Sequence, residues 1–314
     1  MIHRSADSDS EPAFIVRAED NPLDTMLTLS ELVDRLVTSN VIPNRDTAEE
    51  HITHVLDYHH LPRADRYPSL SLANLSVLEA LDYGDPKDVA GDARIALAIS
   101  PDCALAWFLL VEEPSLTLSE KRARYVRTLE AYEQLLDLDS LTEEVLSCDD
   151  RQYLRARTGL ALCLWDEGRK TEAVSTLWET LRLNPWDYNG VRGILAGWLP
   201  QLDDDAQLGQ LVREWPVSRE DPDPKRTYTE TLLYFRLGDY AAARAALDKA
   251  YKQNPHVLDA IAYNDEPDDD GPPAVAASSV PYAESANSYI GAGWRHTIGA
   301  AAWALRWLQE RSAQ

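Results

Sequence analysis

The chain has 314 residues, enough to bury a core without help from a disulfide or a metal. Its 53 acidic residues outnumber 30 basic ones, for a net charge of -23, which argues against phosphate-backbone binding and against an anionic membrane surface. No run of about eighteen apolar residues occurs, so no membrane span is expected.

Residues 1–24 carry Ser, Asp, Glu and Pro without a period and read as a mobile tail with no secretory signal. Residues 25–68 read as an N-terminal helical extension. Its first helix starts where Thr28 or Ser30 can cap it, with Leu32, Val33, Leu36 and Val37 as the apolar stripe. Asp46 is expected to cap the second, which runs to about His60 and buries Ile52, Val55 and Leu56. Pro62 and Pro68 then interrupt the chain before a third helix from about Ser69 to Tyr83.

Between residues 69 and 257 one layout recurs: a helix, a turn with Gly-Asp or Gly-Arg, a second helix rich in Ala and Leu, then Pro. The turns are Gly84-Asp85, Gly168-Arg169 and Gly238-Asp239, and the prolines are Pro101, Pro185 and Pro255, 17 residues after each glycine. The glycine permits a positive φ where the first helix ends, and the proline stops the second. Further helices are expected at about Asp102 to Val111, Leu118 to Leu138, Asp187 to Leu199 and Ala206 to Trp215.

These residue types and this spacing resemble tetratricopeptide (TPR) units, whose period is about 34 residues. The second and third segments match well; the first is weaker, with Val89 where a small Ala is usual. A second resemblance rests on Leu183-Asn184-Pro185-Trp186-Asp187, Asn254-Pro255-His256-Val257 and Trp294-Arg295-His296-Thr297. Such runs, in that order, are similar to those of certain bacterial TPR-like proteins and of the C-terminal part of the suppression-of-tumorigenicity family. That family implies a fold and no defined activity, and the membrane linkage of its eukaryotic members is not carried over to a chain without a span. The resemblance implies an all-α, right-handed TPR-like superhelix with an N-terminal helical extension and a C-terminal capping helix.

Residues 258–284 hold Asp265, Glu266, Asp268, Asp269, Asp270 and four prolines, and read as an acidic loop. Residues 285–314 read as the capping helix, running from about Ser285 to Arg311 with a break near Gly291 to Gly293. Trp294, Ile298, Ala301, Ala302, Leu305 and Leu308 form its expected packing stripe.

Cys103, Cys148 and Cys163 are widely separated and read as small buried thiols in a reducing, cytoplasmic compartment. The one histidine cluster, His51, His54, His59 and His60, includes a face of Glu50, His54 and Asp57 that suits metal ligands. Nothing elsewhere completes a site, and a polar helix face is the simpler reading. Gly291-Ala292-Gly293 lacks the strand and third glycine of a dinucleotide loop. Asp149-Asp150 and Asp203-Asp204-Asp205 read as helix starts and solvated faces. Neither a catalytic constellation nor a cofactor is therefore expected.

The remaining candidate is the groove lined by the first helix of each unit. Arg155, Thr158, Leu162 and Trp165 are its expected residues in the second unit, and Lys225, Tyr228, Leu232 and Phe235 in the third. Trp303 and Trp307 are a further candidate pair of interface anchors. The expected function is a scaffold or adaptor holding a peptide or protein partner, a basic one being favoured by the charge, with homo-oligomerisation left open. A metal-binding protein or hydrolase using the His51–His60 region, and a nucleic-acid-binding repeat, are the alternatives.

Overall fold

A computed structural model describes residues 24–83, 89–142, 145–216, 223–263 and 280–312. Fifteen α-helices, three short 3-10 turns and one pair of two-residue strands are the regular structure among them, so the chain is all-α. Contacts divide it into two units, Met1–Arg169 and Lys170–Gln314, each with its own helices.

In the first unit, β1 (Met26–Leu27) pairs antiparallel with β2 (Tyr67–Pro68), which the sequence did not suggest. Helix α1 (Leu29–Thr38) starts as expected: Thr28 caps it, and Glu31 closes a capping box on the Thr28 main chain. Asn44, rather than Asp46, caps α2 (Arg45–Tyr58), its side chain accepting the Thr47 amide at 2.9 Å. Asp46 lies inside the first turn, where its charge complements the helix dipole. Helix α3 spans Ser69–Tyr83, α4 Val89–Ile99 and α5 Ala104–Leu109.

Asp24, expected to end a mobile tail, is instead buried at the start of α3. Its carboxylate accepts the Leu70 and Ser71 amides and the Ser71 hydroxyl. The rest of that tail, 1–23, and the Gly84-Asp85 turn lie outside the described residues. Leu32, Leu36, Ile52, Leu56, Leu72, Val77, Ala96 and Ile99 meet in one apolar core, so α1 and α2 share their burial with α3–α5. Helix α6 (Leu118–Glu133) then packs on α7 (Cys148–Asp166). Gly159 makes this crossing close: a Cβ there would lie 2.2 Å from the Tyr125 ring.

The second unit contains α8 (Lys170–Leu183), α9 (Val191–Trp198), α10 (Asp205–Glu214), α11 (Pro224–Arg236) and α12 (Tyr240–Gln253). The turn and helix-end expectations at the described positions hold. Gly168 and Gly238 take positive φ at 80° and 76°, and α4, α8 and α12 each end two residues before Pro101, Pro185 and Pro255. Both asparagines before the latter two prolines are buried, and their side chains accept the amides of Tyr188 and His256 at 2.9 Å. Trp294 is buried edge-on against Tyr228. The polar and aromatic positions of the three quoted runs therefore include helix-end supports and core.

The C-terminal expectations need correction. Helix α13 (His256–Tyr263) occupies the start of the supposed loop, of which 264–279 lie outside the described residues. The capping helix is two helices, α14 (Val280–His296) and α15 (Ala300–Ser312), separated at Gly299 with φ 81°. Gly291 and Gly293 do not break it. Gly293 instead faces α9, where a Cβ would come within 3.2 Å of the Ala196 and Gly197 carbonyls. The Gly299 turn resets the helical register, so the continuous stripe fails: Ile298 is 95% exposed, while Ala300, Ala304 and Trp307 are buried.

Candidate functional site

The ten sequence-derived positions separate by burial. In α7, Arg155 is exposed with its guanidinium 5.8 Å from the Phe108 ring, and Leu162 is exposed. Thr158 and Trp165 are half-buried, the Thr158 hydroxyl donating to the Leu154 carbonyl at 3.0 Å. In α11, Lys225 is half-buried, its ammonium 5.5 and 5.2 Å from the Tyr282 and Tyr289 rings. Tyr228 and Leu232 are core residues and present no groove surface. The reason is that α11 is packed by α10, α12 and α14, so its buried sector is wider than one stripe.

Phe235 and Trp303 are 68 residues apart in sequence, yet their ring centroids lie 5.2 Å apart. Tyr240 stands edge-on to Phe235 at 5.5 Å. With Gly299 and Arg306 these rings line an open cleft of about 380 Å³. Its construction follows from the two left-handed glycines. Gly238 turns the chain from α11 into α12, carrying Phe235 to Tyr240, and Gly299 turns α14 into α15, carrying Trp303. Large apolar side chains on the same two turns stay in solvent: Leu237 is 61%, Tyr240 56% and Ile298 95% exposed. The second candidate tryptophan, Trp307, is buried instead against Tyr251, under the Arg311 guanidinium.

Arg236, next to Phe235, ties the end of α11 to side chains that flank α10 and α14. Its side chain is largely buried and donates to Asp205, to Asp203 at 3.0 Å and to the Thr297 hydroxyl at 3.0 Å. Burial alone would lower its pKa, but the hydrogen bonds to Asp205 and Asp203 raise it, so this cation is held charged. The same hydrogen bond holds the Asp203 carboxyl below its ordinary value. Sequence reasoning found Phe235 and Trp303 and missed Leu237, Tyr240, Ile298 and Arg306. The available signal was the pairing of each Gly turn with a flanking large apolar residue.

The histidines engage α3. His51 shares a 3.2 Å hydrogen bond with the Ser76 hydroxyl, His54 meets Glu79 at 2.5 Å, and His59 lies 3.2 Å from the Leu75 carbonyl. Asp57 pairs with Arg63 rather than with a histidine, and Glu50 is exposed. Among the described residues no group of three or more His, Cys, Asp or Glu side chains is placed to hold a metal ion. The acidic pairs are structural: Asp150 closes a capping box with Ser147, Asp204 caps α10, and Asp203 and Asp205 bind Arg236. Cys103 and Cys163 are buried, and burial pushes the Cys103 thiol up to about 12. Cys148, expected to be buried, is exposed at the start of α7. Among the described residues no helix is long and apolar enough to cross a membrane.

No protein-family model matches the chain, and no curated protein matches it either.

Proposed function

We propose that this chain is a TPR-like helical-repeat scaffold or adaptor, and that the Phe235–Tyr240–Trp303 cleft holds a segment of a partner protein. The carrying observation is the concentration of exposed apolar side chains at one place. Leu237 and Ile298 are exposed on the two turns next in sequence to the residues of an aromatic cleft, and the Arg236–Thr297 side-chain hydrogen bond joins those two turns. Burying such a patch is favourable at roughly 25 cal/mol per Å² of apolar surface, and rigid aromatic anchors lose little entropy on binding. The repeat reading is supported by α11 and α12, which pack together across the left-handed Gly238, and by α4, α8 and α12 each ending two residues before a proline. A reducing, cytoplasmic setting is the one suggested by the wide spacing of the three cysteines.

The test uses a random dodecapeptide display library selected on the full-length chain. Peptides retained by the wild type and lost by Ile298→Asp, with thermal unfolding unchanged, are the expected result. Ile298 is almost wholly exposed, so this substitution reports on recognition rather than on folding. An absence of selected peptides, or selected peptides indifferent to Ile298→Asp and Trp303→Ala, would overturn the reading.

A further inference from the structure

We propose that the segment held in this cleft presents an Asp or Glu beside its bulky apolar anchor, and that Arg306 receives the carboxylate. The inference rests on the reading that the cleft binds a protein segment, and it adds the chemistry of that segment.

Five arginines lie on α11, α12 and α15, and four of them have carboxylate partners. Arg226 pairs with Glu230, Arg236 with Asp203 and Asp205, Arg244 with Glu310, and Arg311 with Asp248. Arg306 has no ion pair or hydrogen bond among the described residues, although the chain carries 53 acidic side chains against 30 basic ones. It is exposed and lines the aromatic cleft. An exposed guanidinium offers five donors in a planar fork that matches a carboxylate in two parallel hydrogen bonds.

The placement is also regular. Gly299, Trp303 and Arg306 follow one another at i, i+4 and i+7, so they share one face of the turn and helix. The glycine leaves that face open at one end, the indole supplies an apolar floor, and the Arg306 side chain leaves the helix about 5–6 Å further along, Cβ to Cβ. A ligand side chain laid against Phe235 and Trp303 therefore sets an acidic group one or two residues away within reach of Arg306. Leu237 and Ile298, exposed on the Gly238 and Gly299 turns that flank the lining residues in sequence, offer further apolar surface for the anchor. The whole-chain charge of -23 favours basic partners at long range, but within a Debye length of about 8–10 Å the local cation decides what seats.

The experiment repeats the dodecapeptide selection on the wild type and on Arg306→Glu, with Ile298→Asp as the control for use of the cleft. The expected result is enrichment of Asp or Glu within two positions of a Leu, Ile, Phe or Trp. Arg306→Glu should exchange that enrichment for Lys or Arg. A synthetic peptide from the wild-type selection should lose roughly tenfold or more in affinity for Arg306→Gln, the equivalent of one charge-assisted hydrogen bond. Peptides that need Ile298 but show no acidic enrichment, or whose preference survives Arg306→Glu, would overturn this inference and leave the cleft reading standing. Peptides indifferent to both Ile298→Asp and Trp303→Ala, or none at all, would overturn both.

Discussion

The carboxylate of Asp24 accepts the main-chain amide of Leu70 at 2.7 Å, joining the start of the described chain to the start of α3 across 46 residues. It also accepts the Ser71 amide at 3.2 Å and the Ser71 hydroxyl at 2.7 Å, so it acts as a helix cap supplied from a distance. We predict that Asp24→Ala lowers unfolding stability by about 1–2 kcal/mol, the usual cost of a lost N-cap. Asp24→Asn keeps an acceptor and should recover at least part of it. Urea denaturation measures the loss, and hydrogen exchange localises it to the first turn of α3. Unchanged exchange at Leu70 and Ser71 in Asp24→Ala would contradict the assignment.

Tyr228 carries a second long-range contact, its buried hydroxyl donating to the Asn254 carbonyl at 2.9 Å. Tyr228→Phe removes one buried hydrogen bond and nothing of the ring packing, for an expected cost of about 1–2 kcal/mol. Tyr228→Ala also opens a cavity beside Trp294 and should cost about 3–5 kcal/mol. Equal losses in the two variants would show that the ring is poorly packed. Tyr228→Ala is thus a folding variant and is unsuited to testing partner binding.

The sequence made local chemistry readable. Thr28 as a cap of α1, Ser69 as the start of α3, and the Gly238 turn before Pro255 each depend on residues within a turn or a helix of one another. Sidedness was less readable. Helix α11 buries Thr227, Tyr228, Thr231, Leu232 and Leu233 because several helices enclose it, so no single stripe separates its core from its surface. Phe235 and Trp303 were both visible as candidates, but their meeting depends on how α11 and α15 pack and no local pattern encodes it. Gly293 was opaque for the same reason: its partner, α9, lies about one hundred residues earlier.

Two glycines, Gly197 at the α9–α14 crossing and Gly91 on α4, give predictions of opposite sign. A Cβ on Gly197 would lie 2.0 Å from the main-chain oxygen of Tyr289, and a carbonyl inside a helix cannot rotate aside. Gly197→Ala should force α9 and α14 apart and destabilise the chain by about 1–3 kcal/mol or more. Gly91, on α4, is exposed and has nothing within 4 Å of its would-be Cβ. Gly91→Ala should therefore stabilise, by up to about 1 kcal/mol, through helix propensity. Thermal unfolding of the two variants checks the contrast, and a stable Gly197→Ala chain would mean that the two helices are not in close contact.

His51 supplies a pH dependence whose sign is fixed by its surroundings. Burial pushes its pKa below the ordinary histidine value; Glu79 opposes that shift and His54 adds to it. The unfolded chain, in which histidine titrates near about 6.5, therefore takes up the proton more readily than the folded one. The stability contributed by neutral His51 is complete above that pH and is lost as the pH falls through the lower folded value. Urea midpoints for the wild type should fall below about pH 6.5 more steeply than those of His51→Gln, which can still reach the Ser76 hydroxyl. Carboxylate protonation affects both chains at lower pH, so the difference between them isolates His51. Parallel midpoints from pH 7.5 to 5.5 would show that the imidazole is as easily protonated folded as unfolded, and the contact with α3 would then owe nothing to its neutral form.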